Sequence, residues 1–341
     1  MEKAVGSTDP EIGTAESNGG NRTVTDGKKT PRKKMSKKVL REYLFVYGMI
    51  LLPIIQFCIF YIWINANSII MAFQEFDVDA SGFNGEVYRW SLYNFKRFFA
   101  EWTNPSSVVV PALLNTLKYF TAGVIMIPVT FLVSYFLYKQ IWGYKIFRVV
   151  FFLPSIVSAV LFVTTYIELI KYGGALSTVW SWFGKELPEL VNDPDRTTGT
   201  IIAFTVWTGF GVNMILYQSA MSRVPEEIIE AAQLDGCPWY RELWSIIIPM
   251  VWPTISTTLI LQFTSLFNST GPILLFADAG RQSLLDNKEV ATIAFWIYRK
   301  TQSGTDLNYP AAIGMIFTAI SVPIVFFVRW VFNKIDPDVT Y

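Results

Sequence analysis

Three carboxylates crowd one short stretch of an otherwise apolar chain: Glu226, Glu227 and Glu230, with only Arg223 close by to offset them. On a helix Glu226 and Glu230 stand at i and i+4, and Glu227 and Glu230 at i and i+3, spacings that place like charges on one face and destabilise an isolated helix. Such a cluster makes physical sense where a basic partner docks; the plainer reading is a solvated amphipathic linker. Catalysis is poorly served. The chain of 341 residues contains no histidine, the commonest general base and metal ligand. Its two cysteines, Cys58 in an apolar run and Cys237 in a polar loop, make neither a disulfide framework nor a zinc pattern.

A second set of polar residues sits inside long apolar runs. Thr254, Thr258, Gln262, Ser265 and Asn268 are spaced so that a helix would carry them on one face. Thr205, Gly209 and Asn213 recur at helical spacing in the run before, with Trp207 and Phe210 beside them. Amide and hydroxyl groups next to aromatic faces suit a sugar, whose C–H faces stack while its hydroxyls need donors and acceptors. Two readings stand for the stripe: lining of a solute path, with Gln262, Asn268, Asn213 and Trp207 as candidates, or hydrogen bonding and packing between helices. Glu168 and Arg329 fall near the ends of apolar runs, where snorkelling accounts for both.

The elements that must hold these residues are membrane spans. Hydrophobic residues make up 52% of the chain, charged ones 16% against roughly 25% in soluble domains, and the mean hydropathy is +0.36. Formal net charge is only +1, so nothing points to nucleic acid. Residues 1–42 are polar and poor in large apolar side chains, which predicts a disordered tail. The tail carries Lys28, Lys29, Arg32, Lys33, Lys34, Lys37, Lys38 and Arg41 directly before the first apolar run, and by the positive-inside rule it stays in the cytoplasm.

Six runs are long enough to cross a hydrocarbon layer of about 30 Å: Tyr43 to Ile64, Leu117 to Tyr138, Val149 to Ile170, Ile201 to Met221, Met250 to Phe276, and Ala311 to Phe332. The expectation is an all-α membrane protein, residues 43–341 forming one six-helix domain in a lipid bilayer with both termini cytoplasmic.

The connection from Ser222 to Pro249 is patterned as helix rather than coil. Pro225 opens a first helix whose early glutamates complement the helix dipole. Asp235 and Gly236 end it, glycine being able to take the left-handed conformation without a Cβ penalty. Pro238 opens a second helix with Tyr240, Leu243, Trp244 and Ile247 as an apolar stripe, and Pro249 marks the entry to the fifth span.

The series Glu230, Ala231, Ala232, then Gly236, Ile246, Ile248 and Pro249 resembles the EAA signature of binding-protein-dependent ABC importer permeases, with Ile248 in place of the usual leucine. The resemblance extends from Tyr43 to the C-terminus. Phe152, Leu153, Pro154 and Ser155, then Trp207, Gly209 and Phe210, and the segment from Tyr309 to Ile324 look like the carbohydrate-uptake branch, related to maltose and glycerol-phosphate permeases. Phe267 and Asn268 match that branch loosely, and its Gly-Gly-Pro turn is reduced here to Gly271 and Pro272.

The resemblance implies a type I ABC importer permease fold in which Glu230, Ala231, Ala232, Asp235, Gly236, Ile246 and Pro249 belong to coupling helices seated in a cytoplasmic ATPase. It implies as partners two ATPase subunits, a second homologous permease and an extracytoplasmic solute-binding protein. No G-x-x-x-x-G-K-[ST] phosphate loop occurs in the chain, so no cofactor is expected on it and ATP belongs to a partner subunit. Mono- and oligosaccharides, sugar acids and polyol phosphates all remain open as solutes. The alternatives are an ion-coupled secondary transporter, which calls for buried ionisable groups or inverted repeats, and a membrane enzyme, which calls for a nucleophile or metal constellation.

Overall fold

Long apolar runs in a membrane protein must satisfy every backbone group internally, and helices do so. The computed structural model describes residues 37–77, 87–191, 193–270, 272–278, 290–304 and 306–335. These fall into two compact units, one through Ile59 and one from Phe60 onward. Among the described residues six stretches are long and apolar enough to cross a membrane: Arg41–Ala72, Val109–Tyr138, Ala159–Trp182, Asp195–Met221, Trp239–Thr264 and Asn308–Ile335.

In the first unit, α1 (Lys37–Phe57) begins before the expected Tyr43, so residues 37–42, counted with the tail, are helical; residues 1–36 lie outside the described part of the chain. A π-helical turn, Cys58–Trp63, follows α1 in sequence, its first two residues in this unit and the rest in the second.

In the second unit α2 (Ile64–Ala72) leads into a short antiparallel ribbon, β1 (Gln74–Asp77) against β2 (Val87–Trp90), with Gln74 opposite Trp90 and Asp77 opposite Val87. The ribbon is a departure from the expected all-α architecture. It is followed by α3 (Tyr93–Thr103) and by α4 (Val109–Tyr138), which starts well before Leu117. Asn94 on α3 donates to the Gln74 carbonyl at 2.8 Å and ties the ribbon to the helix.

The third expected span, Val149 to Ile170, is not one helix. It divides into α5 (Tyr144–Ile156) and α6 (Ala159–Ile170), with extended backbone at Val157 and Ser158. Pro154 in the last turn of α5 supplies no N–H, and its ring crowds the carbonyl four residues back, which favours a stop shortly after it. The membrane-capable stretch therefore starts at Ala159 and runs through α7 (Ala175–Trp182). The break allows a close approach: a Cβ on Gly211 would stand 2.7 Å from the Phe151 carbonyl oxygen and 2.9 Å from Phe152 Cα, so only glycine lets α5 lie against the next helix.

That helix, α8 (Pro194–Met221), has Pro194 at its first position and Asp193 as its cap, accepting from Asp195 N–H at 3.1 Å. The loop helices α9 (Glu226–Leu234) and α10 (Trp239–Glu242) follow, then a π-helical turn, Leu243–Ile247, and α11 (Ile248–Thr264). The fifth expected span ran on to Phe276, but α11 stops at Thr264. A turn and a separate short helix, α12 (Ile273–Asp278), take up the rest. The chain closes with α13 (Ile293–Gln302) and α14 (Asn308–Ile335).

Helix packing at one end of the second unit is apolar. Phe131 and Tyr135 of α4, Tyr217 and Met221 of α8, and Val251 and Ile255 of α11 form one cluster with Ile229, Leu243 and Ile247 of the loop. At the other end polar groups join the layers: Asn115 donates to the Ala291 carbonyl at 3.2 Å, and Thr116 accepts from Ile293 N–H at 3.0 Å. Arg97 reaches Asp306 at 3.0 Å and lies 4.0 Å over the Tyr309 ring, fastening α3 to the start of α14.

Candidate functional site

The loop between Met221 and Ile248 folds as two helices joined by a glycine stop. Pro225 is the N-cap of α9, one position earlier than its expected place inside the helix, with φ −58° and ψ 129°. At the other end Gly236 has φ 67°. Its N–H bonds the Gln233 carbonyl at 3.0 Å and Cys237 N–H bonds the Ala232 carbonyl at 2.9 Å, which together make a Schellman stop. Gly236 thus redirects the chain into α10.

Ile229 is buried among the helix ends, whereas Glu226, Glu227, Glu230, Ala231, Asp235 and Gly236 are exposed and Ala232 is half-buried. The motif residues therefore form an outward-facing acidic surface, and Leu234, at 89% exposed, adds an apolar knob beside it. Pro249 is exposed and Ile246 half-buried where the loop joins α11. Pro249 cannot donate to the carbonyl four residues back, and the chain accommodates it with the π-helical turn just ahead.

The expected apolar stripe on the second loop helix splits. Leu243 and Ile247 are buried, but Tyr240 and Trp244 are exposed, because the wider π-helical turn changes which positions share a face. The buried face instead includes Glu242, which sequence reasoning passed over. The residue is 2% exposed, and its carboxylate receives the Lys139 ammonium at 2.7 and 2.8 Å. A single acidic residue beside Leu243 in the second loop helix was the signal available. Removing one partner of such a pair leaves a buried charge and costs about 3–5 kcal/mol.

A cavity of about 460 Å³ lies between α4, α8 and α11. Gln262, Asn213 and Asn268 all line it, with Thr205, Thr258 and Ser265, so residues from two separate sequence stripes meet in one place. They do not meet along one helix, since Ser265 and Asn268 belong to the turn after Thr264. Asn213 also donates to the Gly209 carbonyl at 3.3 Å, and Thr258 shares a 3.0 Å hydrogen bond with the Tyr217 hydroxyl at one side of the cavity.

Trp207 is not among the lining residues. It packs on the Phe162 ring at 4.9 Å and the Tyr166 ring at 6.2 Å, on the α6 side of α8. Missed by sequence reasoning, Gly123 and Met126 of α4 supply the facing wall. A second, larger cavity of about 860 Å³ opens between α2, α13 and α14, lined by Asn65 and Ser68 of α2 and Thr318 and Ser321 of α14, and Asn268 borders both. Among the described residues no group of histidine, cysteine or acidic side chains has the arrangement of a metal site.

Six membrane-capable helices, a cavity between three of them bordered by several amides and hydroxyls, and an exposed helical loop beyond it are the features of a multi-pass membrane protein. Residues 44–341 match the family of binding-protein-dependent transport system inner membrane components, and the chain belongs to that family.

Among curated relatives, the maltodextrin transport system permease protein MalC of Streptococcus pneumoniae is 29% identical over 250 residues, which are 69% of this chain and 55% of the relative, so the chain spans about half that protein's length. The sn-glycerol-3-phosphate transport system permease protein UgpA of Shigella dysenteriae is 25% identical over 308 residues, 88% of this chain and 98% of the relative. The polygalacturonan/rhamnogalacturonan transport system permease protein YteP of Bacillus subtilis is 26% identical over 321 residues, 92% and 95% respectively. The fold matches a chain of a bacterial ABC transporter involved in import of the acidic polysaccharide alginate, with a TM-score of 0.72 at 21% identity, covering 88% of this chain and 98% of the other.

Proposed function

We propose that this chain is the membrane-spanning subunit of an ATP-driven importer and that it passes a sugar or oligosaccharide across the plasma membrane of a bacterium. The observation that carries the reading is the joint placement, on the same helices, of a cavity bordered by amides and hydroxyls and of an exposed acidic loop. Gln262 lines the cavity on α11, and α11 continues without a break from the loop. Amides and hydroxyls on three sides of the cavity suit solute hydroxyl groups, and the relatives named above carry sugars or a polyol phosphate.

The chain itself performs no chemistry in this reading. ATP is bound and hydrolysed by two cytoplasmic subunits that receive the acidic face of α9, a second permease of like fold completes the path, and an extracytoplasmic binding protein delivers the solute. A solved relative of the same fold was crystallised in complex with a periplasmic protein carrying an alginate pentasaccharide, which supports a partner of that kind. The 222–249 loop and both termini are cytoplasmic.

Proteoliposomes holding the complete complex from the host membrane test the reading against ion-coupled transport. A panel of labelled neutral and acidic oligosaccharides should be taken up only with ATP on the loop side and binding protein on the other. Uptake driven by an ion gradient without ATP would overturn it.

A further inference from the structure

We infer that the ion pair of Lys139 and Glu242 makes α4 move together with the second loop helix, so that two walls of the cavity respond to the ATPase as one. The inference rests on the coupling role proposed above for the loop. Lys139 caps the C-terminal end of α4, and its ammonium sits 2.7 and 2.8 Å from the two Glu242 oxygens.

Two further contacts surround the pair. The Tyr135 hydroxyl donates to the Trp239 carbonyl at 3.3 Å, and the Phe136 and Trp239 rings lie 5.4 Å apart. The last turn of α4 therefore grips α10 at both of its ends. From α10 the helical backbone continues through Glu242, Leu243, Ile247 and Ile248 into α11. Gly123 of α4 and Gln262 of α11, which meet at the cavity, thus both trace back to this one short helix.

Packing alone would hold α4 against α10, and an apolar pair of similar volume is commonly as stable as a buried ion pair. What the ion pair adds is direction. Apolar contacts can be exchanged for other apolar contacts when helices shift register, whereas a carboxylate on a residue 2% exposed cannot leave its ammonium without staying charged and unsolvated. The first loop helix lacks such a device, since Ile229 anchors it through apolar contacts.

The test uses the complete complex in proteoliposomes and reads solute taken up per ATP hydrolysed, alongside retention of the ATPase subunit on purification. The apolar variant Lys139→Met with Glu242→Leu should assemble, retain the ATPase subunit and hydrolyse ATP, with uptake per ATP down about tenfold. The charge-swapped variant, Lys139→Glu with Glu242→Lys, should recover most of the loss.

Wild-type uptake per ATP in the apolar variant would reduce the pair to a structural contact and overturn the inference. Loss of the ATPase subunit from it would also overturn the inference, by assigning the pair to docking. If the apolar variant does not assemble, the charge-swapped one decides: wild-type uptake per ATP supports the link, and normal assembly with poor uptake refutes it. Glu230→Lys, run in parallel, separates the two levels. Normal transport by that variant removes the coupling role of the loop itself, whereas its failure beside a normal apolar variant removes only the link.

Discussion

Gln262 of α11 lies where a side chain on residue 123 of α4 would stand: a Cβ built on Gly123 overlaps the Gln262 amide nitrogen and comes within 2.8 Å of its Cδ. Glycine at 123 therefore sets how the amide is seated in the cavity. Gly123→Ala should push the amide aside at little cost in stability, because the atoms in the way are the far end of a flexible side chain. Losing one seated hydrogen-bonding group from the cavity, worth about 1–1.5 kcal/mol, should raise the half-saturating solute concentration roughly tenfold with normal assembly. In a Gln262→Ala background the same change should have little further effect. An additive loss in the double variant would show that Gly123 acts through some other neighbour.

Replacing Gln262 and Asn268 together by leucine removes two of the three amides bordering the cavity. Uptake should fall by about a hundredfold if each contributes a hydrogen bond worth about 1–1.5 kcal/mol to the passing solute, while the complex still assembles. Wild-type uptake by this variant would return the polar stripe to helix packing.

Glu230→Lys puts a cation on the exposed acidic face of α9, and like charges brought together at an interface cost several kcal/mol. Gly236→Val acts by a different route. A β-branched residue at φ 67° costs about 1–2 kcal/mol and misdirects α10. Both chains should reach the membrane at near-normal levels yet lose the ATPase subunit on purification. Normal ATP-dependent uptake by both would end the coupling role of this loop.

Orientation can be read with Cys237, which is half-buried in the glycine stop between α9 and α10. In a Cys58→Ser background it should resist a membrane-impermeant maleimide added to intact cells and react once the membrane is opened. Labelling of intact cells would place the loop outside.

The glycine stop was legible because it depends on local backbone chemistry: Asp235 and Gly236 end a helix wherever it docks. The six spans were legible in number for a similar reason, since length and apolarity are one-dimensional quantities. Their edges were not. Hydropathy does not register the change of backbone conformation at Val157 and Ser158, and averaging over a span-length window carries the fifth run across Ser265, Asn268, Gly271 and Pro272 to Phe276, although α11 has already ended at Thr264. The cavity was half legible. Asn213 and Gln262 could be put on faces by their spacing, but Trp207 could not be assigned a neighbour, and its ring went to Phe162. Gly123 and Glu242 matter through residues more than a hundred positions away, a relation no local pattern contains.

In the coupling role proposed above, the helical stretch from Trp239 through Thr264, with the π-helical turn inside it, would swing as a lever about the Gly236 turn. At 1.5 Å per residue its arm from Trp239 to Gln262 is about 35 Å long, so a tilt of roughly 10° sweeps the amide through about 6 Å. That sweep is close to the width of a sugar ring. In that role a small rocking of the loop would translate into a displacement on the scale of a sugar ring, and the π-helical turn and Pro253 within the rod would set how much of each stroke reaches Gln262.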